Sequence, residues 1–128
     1  MNRPILIAAI TAFAAHSPAL AETWAPVAKS AQFTLSLDKD SIQAASGRAK
    51  FWDKLSLLEP QKSPDFPEPF SEVRSQREAD CASHAVASLG QRFYDAKGVL
   101  VHASDKSTPP TPVNVGSPAD LEFKQVCN

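Results

Sequence analysis

The sequence predicts an α+β domain: an antiparallel β-sheet of about five or six strands with a short C-terminal helix packed on one face. Three observations carry this. Apolar residues recur with period two through QFTLSLD (32–38) and RAKFWDKLSLL (48–58). A turn signature, Asp95-Ala96-Lys97-Gly98, separates two further alternating runs. A helix-start signature, Ser117-Pro118-Ala119-Asp120, opens the final segment.

In the first run Phe33, Leu35 and Leu37 fall on one side and Thr34, Ser36 and Asp38 on the other, the pattern of a half-buried strand. Asp38-Lys39-Asp40-Ser41 follows as a polar turn, and Ser46-Gly47 as a second. Residues 48–58 resume the parity, with Ala49, Phe51, Leu55 and Leu57 odd and Lys50, Lys54 and Ser56 even. Asp53 interrupts the apolar set, and Trp52 sits on the polar side. Residues 60–70 (PQKSPDFPEPF) hold four prolines and residues 109–112 (PPTP) three. Proline cannot donate to a ladder, so both segments are expected as surface loops.

Residues 77–94 are expected as one long strand, with Ala79, Cys81, Ala85, Ala87, Leu89 and Phe93 on one face and Asp80, His84 and Arg92 on the other. A helix competes, because alanine is a strong helix former. The turn at 95–98 decides for strand: Asp first and Gly fourth suit a type I turn with Gly98 left-handed, which closes a three-residue hairpin loop with a bulge. That register sets Phe93 opposite Val101, Gln91 opposite Ala103, Tyr94 opposite Leu100 and Arg92 opposite His102. In the helix expected over 118–127, Ser117 is the N-cap, Pro118 opens the first turn and Asp120 completes a capping box. Ala119, Phe123, Val126 and Cys127 then share a side, and Leu121 falls away from it. A short strand is the alternative there.

Residues 1–21 read as a secretory signal peptide. Arg3 gives a positive start, 5–15 is apolar, His16-Ser17-Pro18 breaks the run, and Ala19-Leu20-Ala21 is an A-x-A cleavage site before Glu22. The apolar run is shorter than the roughly 20 residues that span a bilayer; a membrane anchor or a buried first helix are the alternatives. No cysteine adjoins the cleavage point, so no lipid would be attached there. The mature chain, 22–128, has 107 residues, enough for one domain with one modest core. The expected location is periplasmic or secreted, with no membrane anchor after cleavage. Losing Arg3 leaves twelve basic against fourteen acidic residues, a formal charge of −2. That excludes the basic balance of nucleic-acid binding and the lysine/arginine block that holds anionic lipid.

The two cysteines, Cys81 and Cys127, allow one intramolecular pairing in an oxidising compartment. The chain-entropy account of a loop that long gives about 4 kcal/mol. A metal site, a free thiol or an intermolecular bridge are the alternatives. A catalytic thiol needs a lowered pKa and a positioned base, and Asp80 beside Cys81 works against it. His84 and His102, the only mature histidines, lie roughly 27 Å apart in the expected register and are read as exposed strand residues. Asp38 and Asp40 lack a calcium-loop ligand series. The chain has no Gly-rich phosphate loop, no His-Glu-x-x-His and no Gly-x-Ser-x-Gly. No catalytic or metal residue and no cofactor is expected. What remains is binding surface. Trp52, Tyr94 and Leu100, with Trp24, occupy positions the parity assigns away from the helix face. The alternative is that a second layer, a loop or a homodimer mate covers them.

Several stretches, in this order, resemble the surface-adhesin protein E family of small exported bacterial domains. They are Trp24, LDKDSI (37–42), KFWDK (50–54), Asp80-Cys81, YDAKGVL (94–100) and GSPADLEFKQVC (116–127). The resemblance spans nearly the whole mature chain. It implies an antiparallel sheet with a C-terminal helix, a cysteine pair mapping onto Cys81 and Cys127, and a non-enzymatic binding role, the founding member being a surface lipoprotein that binds host matrix and serum proteins and haem. The expectation is therefore an exported binding module with a protein ligand. The alternative is an inhibitor or accessory protein of an envelope hydrolase such as lysozyme, acting through the proline-rich segment 60–70.

Overall fold

The computed structural model describes residues 22–128, so the expected signal peptide and its cleavage site lie outside the described residues. The strands are β1 (Trp24–Lys29), β2 (Phe33–Asp38), β3 (Gln43–Ala45), β4 (Arg48–Ser63), β5 (Phe66–Asp80), β6 (Ala85–Tyr94), β7 (Leu100–Ser104) and β8 (Thr111–Pro112), followed by helix α1 (Pro118–Val126). All pair antiparallel in one sheet of order β1-β2-β4-β5-β6-β7. The sheet has eight strands, not the five or six expected. The excess is physical detail. The three-residue β3 extends the row of β2 along β4, and the two-residue β8 extends the row of β7 along β6.

The alternation in β2 and β4 builds the covered face. Leu37 pairs with Asp53, Leu35 with Leu55, Asp53 with Ser75 and Ala49 with Ala79, so these rows share one side. Helix α1 closes that side: Leu37, Ala49, Phe51, Ala79, Phe123 and Val126 form the core, with Val27, Ile42, Val86, Val113 and Cys127 at its margin. Fully burying a side chain such as Leu37 or Phe51 stabilises by roughly 1.5–3 kcal/mol. A nine-residue helix is marginal alone, so its order comes from this packing and from its ends. Ser117 caps it by accepting from Asp120 N (3.2 Å). Asp120 reaches back as expected, but to Gly116 N (2.8 Å) rather than to the cap residue. Ala119 is exposed, and Asp120 and Glu122 take its expected place among the buried residues. Leu121 points away. Cys127 bonds to Cys81, with 5.5 Å between their Cα atoms, and ties the chain end to the end of β5.

Three expected segments differ in the fold. Residues 77–94 are not one strand: β5 ends at Asp80, and Cys81–His84 turn the chain into β6. Asp80 Oδ1 accepts from Ala82 N (3.2 Å) and Ser83 N (3.3 Å), and His84 adopts a positive φ of 53°. An Asx-type turn needs neither Gly nor Pro, and the apolar alternation runs past it by coincidence. A register shift between Gln76 and Arg77 then pairs Val86 with the core residue Ala79 and sets it beside the core, while Ala85 and Ala87 are buried on the other side of the sheet.

Residues 60–70 are not a loop either. They form the outer end of a long β4–β5 hairpin, with the turn at 64–65. The prolines are tolerated because the pairing is irregular there: from Ser56 outward only Gln61–Phe70 and Ser63–Phe66 pair. In 109–112, Thr111 and Pro112 pair with β6, so part of that expected loop is strand.

The β6–β7 turn forms as the sequence implies, with Asp95 N donating to Val99 O (2.9 Å) and Gly98 at φ 80°. Tyr94 faces Leu100, but the bulge beyond it shifts the partners to Phe93–His102 and Arg92–Ala103. His102 therefore joins a ring cluster, stacked 4.5 Å from Phe66 and 5.8 Å from Phe93, rather than standing as an exposed strand residue. His84 is likewise no strand residue: its Nε2 lies 3.0 Å from Asp120 Oδ1, and its ring lies 4.2 Å from Phe123.

Candidate functional site: an aromatic and cationic groove on the open sheet face

The even-numbered side chains of β4 and β5 emerge on the face away from α1. Trp52 pairs with Gln76, Lys54 with Arg74 and Arg74 with Arg92, while Trp24 sits opposite Asp38 at the sheet edge. Trp24, Trp52, Arg74, Gln76, Arg92 and Tyr94 line a groove of about 570 Å³, within the size range of small-ligand sites.

Each ring is fixed by its neighbours. Ser41, in the short turn after β2, donates to Asp38 O (2.7 Å) and accepts from Trp52 N (2.8 Å), so the turn holds β4 where the β2 ladder has ended. Trp24 Nε1 donates to Glu22 (3.0 Å), and Glu22 also accepts from Arg74 (3.2 Å). Arg74 is held by Glu72 as well (2.9 Å).

Cations lie over every ring. Lys54 Nζ is 4.7 Å from the Trp24 ring centre and the Arg74 guanidinium 5.6 Å. Arg74 is 4.9 Å from Tyr94, and Arg92 is 5.5 Å from Trp52. Such pairs contribute about 0.5–1 kcal/mol each at exposed sites, so they orient the side chains more than they stabilise the fold.

The structure thus brings Trp52 and Tyr94 together with Trp24, as the parity implied. Leu100 is half exposed at the far edge and does not line the groove. Composition gave no hint of Arg74, Arg92, Lys50 or Gln76, yet a signal existed: all four carry the even parity of Trp52 and Tyr94.

The covered face carries the other charged constellation, and it is structural. Asp53 in β4 is 2% exposed and accepts from Arg77 Nε at 2.5 Å. Glu122 of α1 lies 3.9 Å from the same nitrogen. Burial first, and the neighbouring Asp53 carboxyl second, push Glu122 up to about 10, so it is a neutral acid at physiological pH. Asp120 goes the other way. The Gly116 N–H, then the Lys124 ammonium at 3.1 Å, hold its carboxyl below the usual range. Asp38 and Asp40 form the capped turn at the groove rim, and the described residues contain no cluster of three metal-ligating side chains.

A disulfide-closed single sheet, packed by a helix on one side and carrying an aromatic groove on the other, is the scaffold of a small binding domain. The sequence model of the surface-adhesin protein E family matches residues 24–128, and the chain belongs to that family. Its fold is similar to the structure of Haemophilus influenzae protein E, with a TM-score of 0.58 and 14% identity over 83% of this chain and 91% of that one. The selenomethionine form of that protein gives a TM-score of 0.58 and 13% identity, over 83% and 93%. Protein E from non-typeable H. influenzae gives 0.50 and 14%, over 75% of each chain. No curated protein gives a significant match.

Proposed function

We propose that the chain is an exported, non-enzymatic binding module that engages its ligand in the groove between Trp24, Trp52 and Tyr94. The single observation behind this is the groove itself: three rings beneath guanidinium and ammonium groups, on the face opposite the helix, open among the described residues. Aromatic and arginine side chains are the commonest anchors of binding surfaces. Membership of the adhesin family supports a host protein or matrix component as the partner. The leader-like residues 1–21 support export, with cleavage before Glu22 and a periplasmic or secreted destination.

The test is adhesion. Purified 22–128 is applied to immobilised extracellular-matrix preparations beside a Trp52→Ala/Arg92→Ala variant of equal thermal stability. Binding is expected to weaken on the order of 10–100-fold in the variant. Equal binding by the folded variant would contradict a role for the groove.

A further inference from the structure

We infer that the ligand class of the groove is an acidic saccharide: a pyranose ring stacked on Trp52 or Tyr94, with its negative charge held by Arg92 and Lys50. This rests on the groove being the binding site.

By formal count the lining is balanced, with three acids and three bases. The acids are already engaged: Glu22 by Trp24 and Arg74, Asp38 by Thr23 N (3.3 Å) and Asp40 N (3.1 Å), and Asp40 by the Thr23 hydroxyl (2.6 Å). Of the bases only Arg74 is paired; among the described residues Lys50 and Arg92 have no carboxylate partner, and both are exposed. Asp38 and Asp40 keep their charge but are tied by these donors to the turn at the groove rim, whereas Lys50 and Arg92 stand unpaired. A carboxylate taken up by Arg92 would gain a bidentate, charge-assisted contact.

The sheet beneath favours a sugar over an extended peptide. The floor strands β2, β4, β5 and β6 are central in the sheet and ladder-paired on both sides. Strand addition needs free main-chain groups at a sheet edge, so a ligand lying here is read by side chains alone. The side chains present suit a saccharide. The negative faces of indole and phenol attract the weakly positive C–H face of a pyranose, and Gln43 and Gln76 on the lining offer amide donors and acceptors to hydroxyls. A nucleic acid would present similar stacking and charge, but the mature chain's net charge of −2 opposes a long polyanion.

The protein carries its own reporter, because its only two tryptophans, Trp24 and Trp52, both line the groove. Purified 22–128 is titrated with 3′-sialyllactose, lactose, a hyaluronan hexasaccharide and poly-glutamate, following tryptophan fluorescence. The acidic saccharides are expected to shift the emission and saturate, lactose to bind at least ~10-fold more weakly, and Arg92→Gln to erase the difference. No saturable response to either acidic saccharide, or an equal response to poly-glutamate, overturns the assignment. The two levels separate cleanly. If saccharides fail while Trp52→Ala/Arg92→Ala still abolishes matrix adhesion, the ligand class is wrong and the groove stands. If adhesion survives that variant too, the groove is not the binding site.

Discussion

The two faces of this sheet are cut from the same strands, alternate residue by alternate residue, and they are built on opposite rules. On the helix face Leu37, Phe51 and Ala79 are at most 1% exposed, and of the ionisable groups there Asp53 pairs with Arg77 while Glu122 is buried beside them as a neutral acid. On the open face Trp52 and Tyr94 remain partly exposed, and Arg92 and Lys50 stand without acidic partners among the described residues. A side chain on the first face stabilises the fold by leaving water. A side chain on the second is held in place but left incompletely used, which is what a binding surface requires. Stability and recognition should therefore be separable by substitution, although the residues concerned adjoin one another in sequence, as Phe51 and Trp52 do.

The largest expected effect tests what closes the covered face. Cys81→Ser/Cys127→Ser opens a loop of 46-residue separation, and a loss of about 4 kcal/mol is expected in urea unfolding. The helix should loosen first, so far-UV helicity and core packing fall before the β signal does. A melt unchanged by reduction would mean that α1 is held by packing alone.

A smaller effect comes from the buried acid. Glu122 is neutral in the fold, its carboxyl raised from the ordinary 4.5 to about 10. The unfolded chain releases that proton above about pH 4.5, so the benefit of the neutral form is complete below that pH and declines as pH rises toward 10. The wild-type melting temperature should fall between pH 5 and 9. Glu122→Gln, which keeps the shape without the ionisation, should flatten that slope and stabilise at pH 8 by roughly 1–3 kcal/mol. Asp120 has the opposite sign: its lowered carboxyl contributes above the unfolded value near 3.8 and loses that contribution as pH falls through the folded one. Denaturation below pH 4 should accordingly persist in the Glu122→Gln variant.

The smallest effect on stability belongs to the groove. Trp52→Ala/Arg92→Ala removes one cation–π pair from an open surface and should cost about 1 kcal/mol or less in the same unfolding assay. A much larger loss would mean that Trp52 serves the core instead.

The sequence made the covered face more legible than the open one. Period-two burial in 48–53, the Asp95–Gly98 turn and the Ser117 cap each follow from local chemistry, and each is present in the fold. The strand expected in 33–38 is present but not half-buried: Ser36 and Asp38 are buried along with Leu35 and Leu37, Asp38 accepting from Thr23 N and Asp40 N. The Cys81–Cys127 bridge followed from there being only two cysteines. The failures arose where a device leaves no local mark. The turn at 81–84 is made by an aspartate accepting two backbone N–H groups, and nothing in Cys-Ala-Ser-His announces it. The bulge between the Phe93–His102 and Tyr94–Leu100 pairs reverses which side of β7 faces the aromatic cluster, and a single register slip moved His102 from surface to stack. Four prolines disguised a hairpin because the irregular pairing that admits them is a property of the partner strand as well. On the open face, parity identified Trp24, Trp52 and Tyr94. That Arg74 and Arg92 lie over those rings depends on how β4, β5 and β6 align, which one strand's pattern does not carry.

The most direct measurement compares neighbours on opposite faces. Phe51→Leu and Trp52→Ala/Arg92→Ala are each assayed for unfolding free energy and for adhesion to the same matrix surface. Phe51→Leu should lose about 1–3 kcal/mol of stability and keep its affinity once folded, while the groove variant keeps its stability and loses its affinity. If a single variant loses both together, or the groove variant binds as well as the wild type, the division of labour between the two faces is wrong.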